Sequence, residues 1–196
     1  MIDLSRYSIS NILDEIEGGE KELIEELSTF SCPHNPEIET FIKRNAIEFA
    51  KRKLSITYLV IDETDGAIDA YFTLTHKAID IPDIGLSKTS KKRLGSFSWY
   101  DPIKKTYSLS AFLLAQFGKN YAIDQGQRIT GEALMALSDD ILEDVQRRIG
   151  GGVVYLDCED KQKLIDFYEN TVHFRKFNER ISDIDNIRYL QYMRFL

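Results

Sequence analysis

The sequence predicts a mixed α/β fold, a twisted mixed β-sheet flanked by helices, in one domain over residues 1–196. Three observations carry this. The β-branched and aromatic run Ile56 to Ile61 turns at Asp62-Glu63-Thr64-Asp65-Gly66 into a second run, Ala67 to Ile81, which is a hairpin pattern. The continuous apolar run SLSAFLLAQFG has the character of a central strand buried on both faces. A helical pattern and the apolar VVYLDC follow it. Residues 109–118, 129–149 and 153–158 therefore read as a βαβ unit with parallel strands and a right-handed crossover.

The remaining elements follow in order. Residues 8–28 read as one or two short acidic helices broken at Gly18-Gly19, within an N-terminal helical extension over 1–30. Asn35-Pro36-Glu37 supplies an N-cap, a proline at the first helical position and an acid in the first turn. Ile38, Phe41, Ile42, Ala46, Phe49 and Ala50 then recur at helical spacing, which predicts a helix over 36–52. Residues 83–107 have no strong period and carry Lys88, Lys91, Lys92, Arg93, Lys104 and Lys105. They read as a surface insertion with a short helix near 87–95. Leu134, Leu137, Ile141, Val145 and Ile149 define the crossover helix, and Gly150-Gly151-Gly152 stops it. EDKQKLIDFYENTV reads as an amphipathic helix, and FRKFNER and RYLQYMRFL as strands.

Composition narrows the function classes. With 43% hydrophobic and 29% charged residues the chain is an ordinary globule rather than a disordered one. A net charge of −7 argues against general nucleic-acid coating, while leaving room for a local basic patch. Cys32 and Cys158 lie far apart with no Cys/His cluster, so neither a disulfide framework nor a metal site is expected. No apolar run approaches the roughly 18 residues of a membrane span, and the acidic start is not a secretory signal. A cytoplasmic protein without membrane partners is the expectation.

The stretch QRITGEAL, residues 127–134, opens the crossover helix. The first amides of a helix have no partner within it, and the helix dipole places partial positive charge there, so an anion such as phosphate is a natural occupant. Gly131 lets a ligand approach the backbone, Ala133 is small, Arg128 adds charge and Thr130 offers a capping hydroxyl. In open α/β sheets ligands bind outside the carboxyl ends of the strands, which is where this loop falls. The stretch matches neither G-x-x-x-x-G-K-[ST] nor G-x-G-x-x-G.

The pattern R-x-x-G-x-A after a central strand resembles the acetyl-CoA pyrophosphate loop of the Gcn5-related N-acetyltransferase (GNAT) family. ITYLVIDETDGAIDAYFTL resembles that family's hairpin, LLAQFGKN its central strand, and VVYLDCEDKQKLIDFYENTVHFRKF the strand and helix that follow. FSCPHNPEIETFIKRNAIEFAKRKLSITYLV is similar to the toxin-like branch, whose members acetylate aminoacyl-tRNA and pair with an antitoxin. Departures are Ala70 in place of a usual glycine, a loop poor in glycine, a long 119–127 connection, His173-Phe174 where Gly-Phe is common, and the unaligned 83–107 insertion.

The resemblance implies a bacterial acetyltransferase that uses acetyl-CoA, without a metal, on a primary amine: a small molecule, a protein or aminoacyl-tRNA. It assigns cofactor contacts to the backbone of Phe117 and Lys119, and pyrophosphate contacts to the amides of Arg128, Ile129, Thr130, Gly131, Glu132, Ala133 and Leu134. The amine attacks the thioester directly. Tyr168, in DFYEN, is the general acid for a leaving thiol with an ordinary pKa of about 8.5. A general base is not evident. Glu48, Glu159 and Asp160 read as surface charge, His34, His76 and His173 as isolated, and Cys158 as core. Two alternatives stand beside this reading: a toxin of a toxin–antitoxin pair acetylating aminoacyl-tRNA, and a non-catalytic acyl-CoA-binding module. A homodimer sharing the apolar C-terminal strand YLQYMRFL is a further expectation.

Overall fold

A computed structural model describes residues 4–196 apart from 125, 127 and 183–185. Gln127 of the QRITGEAL stretch and part of the 119–127 connection therefore lie outside the described residues, as does the start of the 1–30 extension. The fold is mixed α/β, with an eight-stranded mixed sheet and flanking helices. The chain forms two compact units, residues up to Thr75 with Leu114–Ile141, and His76–Leu113 with Leu142–Leu196.

In the first unit the chain begins with a strand, β1 (Tyr7–Asn11), where a helix is expected from residue 8. The alternation Tyr7, Ile9 is too short and too polar to announce a strand. It forms because β2 (Ile56–Asp62) offers it a full antiparallel partner, from Tyr7 opposite Asp62 to Asn11 opposite Tyr58. Asn11 then caps α1 (Ile12–Ser28) by accepting from the Leu13 amide at 2.9 Å. Gly19 leaves helical backbone inside α1 (φ 159°, ψ 94°), the break expected at the glycine pair.

Asn35 caps α2 (Pro36–Thr40), accepting from the Glu37 amide at 3.0 Å with Pro36 in the first turn. A π-turn (Phe41–Asn45) joins α2 to α3 (Ala46–Lys51), so the expected single helix is one path with an extra residue wound into it. β2 pairs antiparallel with β3 (Ile68–Pro82), with a bulge at Val60/Ile61. Leu23, Leu27, Phe30, Phe41, Ile42 and Leu59 share one core with Tyr71, whose ring meets Phe30 and Phe41 and whose hydroxyl donates to the Ile38 carbonyl at 2.6 Å. A Cβ on Gly118 would lie 2.3 Å from Ile38 Cγ2, so only glycine lets the end of β5 (Thr106–Lys119) approach α2.

In the second unit β5 pairs parallel with β6 (Val153–Glu159), Phe112 opposite Val154, as the βαβ reading requires. Between them runs α5 (Gly131–Ile149), ended by Gly150 at φ 76°. The final strand, β8 (Arg188–Phe195), pairs with β6 on one edge and with β7 (Arg175–Ile181) on the other. Both its edges are taken within the chain, so it is not available for sharing with a second protomer in this arrangement.

The 83–107 segment is more than a surface excursion. It holds α4 (Lys88–Gly95) and a short β4 (Trp99–Asp101) antiparallel to β5. Leu94 is fully buried with Ile81, Tyr107, Val153, Tyr155 and Met193. A single large apolar residue, Leu94, docks this otherwise polar and basic eight-residue helix, and one such residue gives no period to read from sequence.

Candidate functional site

The loop after β5 is held by two buried polar side chains of the first unit. Asn120, 5% exposed, donates its Nδ2 to the Ile68 carbonyl at 2.9 Å and its amide to the Asp69 carbonyl at 2.8 Å. Its Oδ1 accepts from the amides of Ser31 and Ala122, each at 3.0 Å. Tyr121 answers with an amide bond to the Ser31 carbonyl at 2.7 Å. One asparagine thus ties together β3, the segment before α2 and the loop.

Asp69, fully buried, accepts from the Ile129 amide through Oδ2 at 2.8 Å, and its Oδ1 has no partner among the described residues. Burial pushes its carboxyl above the usual range, and the Ile129 amide opposes that shift. Arg128 lays its guanidinium 4.1 Å from the centre of the Tyr121 ring, which also meets His34 edge-on at 4.9 Å.

The amides assigned from sequence divide into two groups. Those of Arg128, Ile129, Ala133 and Leu134 build the loop, donating to the Asp124 carbonyl, Asp69, the Thr130 hydroxyl and the Thr130 carbonyl in turn. Those of Gly131 and Glu132, in the first turn of α5, have no acceptor among the described residues. The cap that Thr130 supplies at 3.1 Å is the one expected of it.

Phe117 and Lys119 end β5 on either side of Gly118. Gln116, one residue before Phe117, holds a buried Oε1 without a hydrogen-bond partner among the described residues. Gln116, Asp69 and Asn120 were not singled out by sequence reasoning. The one signal available was a glutamine inside the apolar run AFLLAQFG.

Tyr168 belongs to the second unit. α6 (Gln162–Ile165) passes into a π-turn (Asp166–Thr171) that carries it. The residue is buried, its ring edge-on to Phe167 at 5.1 Å and to Phe174 at 6.0 Å, and stacked on Tyr192 at 6.1 Å. Burial, with a smaller contribution from Cys158, holds its phenol well above the ordinary value of about 10. Burial likewise pushes the Cys158 thiol up to about 12, the state of an inert core cysteine.

Of the acids Glu48, Glu159 and Asp160, two form ion pairs: Glu159 with Lys161 at 2.6 Å and Asp160 with Arg188 at 3.1 Å. His76 shares a 2.9 Å hydrogen bond with Ser110. Among the described residues no group of three or more His, Cys, Asp or Glu side chains is arranged to hold a metal. No helix among them is long and apolar enough to cross a membrane.

No known protein family and no curated protein matches the chain by sequence. Solved structures do match its fold. AtaT complexed with acetyl-methionyl-tRNAfMet is 14% identical with a TM-score of 0.63, and the match covers 93% of each chain. A tyrosine-to-phenylalanine mutant of KacT is 15% identical with a TM-score of 0.63 over 94% of each chain. A similar mutant of the AtaT toxin, bound to the C-terminus of the antitoxin AtaR and acetyl-CoA, is 11% identical with a TM-score of 0.59. That match covers 97% of this chain and 93% of the other. The chain therefore shares the fold of AtaT and KacT.

Proposed function

We propose that the chain is an N-acetyltransferase that moves the acetyl group of acetyl-CoA to a primary amine. The observation that supports this is the pair of amides, Gly131 and Glu132, without an acceptor among the described residues, at the N-terminus of a 19-residue helix. Asp69 and Asn120 hold the loop that precedes them. Amides fixed in this way bind a phosphate without first giving up another acceptor. The orphaned Gln116 oxygen suits an N–H donor of a pantetheine arm or an incoming amine.

When bound, acetyl-CoA supplies an activated acyl group and a thiol leaving group. Of the stretch Arg128 to Leu134, the Gly131 and Glu132 amides would hold the pyrophosphate, since those of Arg128, Ile129, Ala133 and Leu134 already donate within the loop, and the Phe117 and Lys119 backbone would line the acyl end. Tyr168 is the residue assigned to the leaving sulfur. A phenol that holds its proton so firmly is poorly matched to giving it up to a thiolate of pKa about 8.5, whereas it remains a good hydrogen-bond donor. Its role in this reading is to donate that hydrogen bond.

The test is thermal: acetyl-CoA raises the Tm of the chain, and no shift at millimolar ligand removes the reading in favour of a scaffold without cofactor.

A second reading, that the acceptor is aminoacyl-tRNA and the chain a toxin of the cytoplasm held by an antitoxin, is favoured by AtaT having been seen with acetyl-methionyl-tRNAfMet. Expression without a partner then arrests growth, and an acceptor screen over amines, peptides and charged tRNA shows acetylation of the tRNA-borne amine. Normal growth with an acetylated small amine leaves the first reading alone.

A further inference from the structure

Within the second unit a cavity of about 440 Å³ is walled by α4, the start of β7 and the end of β8. Arg93, His173, Arg175 and Arg194 line it, with the hydroxyls of Ser87 and Thr89 at one rim and Met193 and Phe195 as apolar floor. No lining residue is acidic, in a chain with 32 acids to 25 lysines and arginines. Three arginines line this one concavity, and a planar guanidinium matches phosphate in a forked, two-bond geometry.

Two of the arginines are held in place. Arg93 stacks 4.4 Å over the Phe195 ring and donates one N–H to the Leu196 main-chain oxygen at 2.6 Å. Arg194 lies 4.7 Å from the centre of the Phe174 ring. His173 has left-handed backbone (φ 59°), fixed from its C-terminal side by the Phe174 amide donating to the Tyr168 carbonyl at 2.7 Å. Such backbone in a non-glycine residue recurs at ligand sites. Ser87 caps α4, so the partial positive end of that helix faces the same rim.

We propose that this cavity binds a phosphate group, carried by a polynucleotide backbone or by a free phosphorylated small molecule. The proposal does not depend on acetyl transfer. A cavity of this size accommodates a phosphate with an attached sugar-sized portion, the apolar floor meeting the non-charged part.

The test uses the full chain and two probes at low salt: inorganic phosphate, and a 20-nucleotide single-stranded RNA without terminal phosphates. Arg175 is exposed, so Arg175→Ala leaves the fold intact and removes one cation. Affinity falls about tenfold for the probe that uses the cavity, and Arg175→Lys restores part of it. A fall for RNA, with a salt slope reduced by about 0.7 per lost phosphate contact, identifies a polynucleotide source. A fall for inorganic phosphate alone identifies a free phosphate. Two results overturn the proposal: no binding of either probe by the wild-type chain, or affinities unchanged both in Arg175→Ala and in the Arg93→Gln/Arg175→Ala double variant. Acetyl-CoA stabilisation of the wild-type chain, measured in parallel, reports separately on the acetyltransferase reading.

Discussion

The loop before α5 and the turn that carries Tyr168 hold their functional groups by opposite means. In the loop, buried polar side chains do the holding: Asn120 makes three side-chain hydrogen bonds and Asp69 captures the Ile129 amide. Around Tyr168 the partners are rings, Phe167, Phe174 and Tyr192. Hydrogen bonds are directional and aim main-chain amides. Aromatic packing fixes where a hydroxyl lies without engaging it. The first arrangement suits a group that must point, the second a group that must be available.

The sharpest way to break the comparison is Asn120→Ala. It strands two amides and a carbonyl in a site that is 5% exposed, so a loss of about 3 kcal/mol is expected by chemical denaturation, together with weakened acetyl-CoA binding. A loss below about 1 kcal/mol means that water replaces the side chain and that polar anchoring is incidental.

Next comes Asp69→Asn, which keeps an acceptor for the Ile129 amide and removes the charge. Because burial raises the native pKa of Asp69 above its unfolded value of about 3.9, the native state takes up the proton more readily there. Stability contributed by this group therefore falls as pH rises from about 4 through the native pKa. Asp69→Asn abolishes that slope and is neutral or stabilising by up to about 1 kcal/mol at pH 7. Asp62 has the opposite sign. Arg6 holds its carboxyl well below the usual range, so its contribution is present above about pH 4 and lost under more acid conditions.

Smallest in stability is Tyr168→Phe. Its hydroxyl has no hydrogen-bond partner among the described residues, so the midpoint of unfolding moves by less than about 0.5 kcal/mol while turnover falls at least tenfold. Unchanged turnover removes Tyr168 from the mechanism, and a large stability loss shows that it is a packing residue.

Much of this was legible because local signals agreed with the fold. SLSAFLLAQFG, the helix ended by Gly150 and VVYLDC each announce themselves, and their order fixes where Gly131 falls. Strand β1 was not legible, since Ser8-Ile9-Ser10 forms a strand only through β2 some fifty residues away. The loop glycine was visible but its supports were not. Asp69 and Asn120 are single polar residues near strand ends, and their meaning comes from partners at Ile129 and Ser31, 60 and 89 residues distant. The π-turns at Phe41–Asn45 and Asp166–Thr171 left no trace in the apolar spacing, which tolerates one extra residue per helix.

The place of β8 has a consequence for synthesis. It follows both β6 and β7 in sequence, yet it inserts between them. The second unit cannot close until residues 188–195 have left the ribosome, so folding there is late rather than progressive. A product truncated before residue 188 carries two open strand edges, an adhesive surface that proteases and chaperones act on before any activity develops.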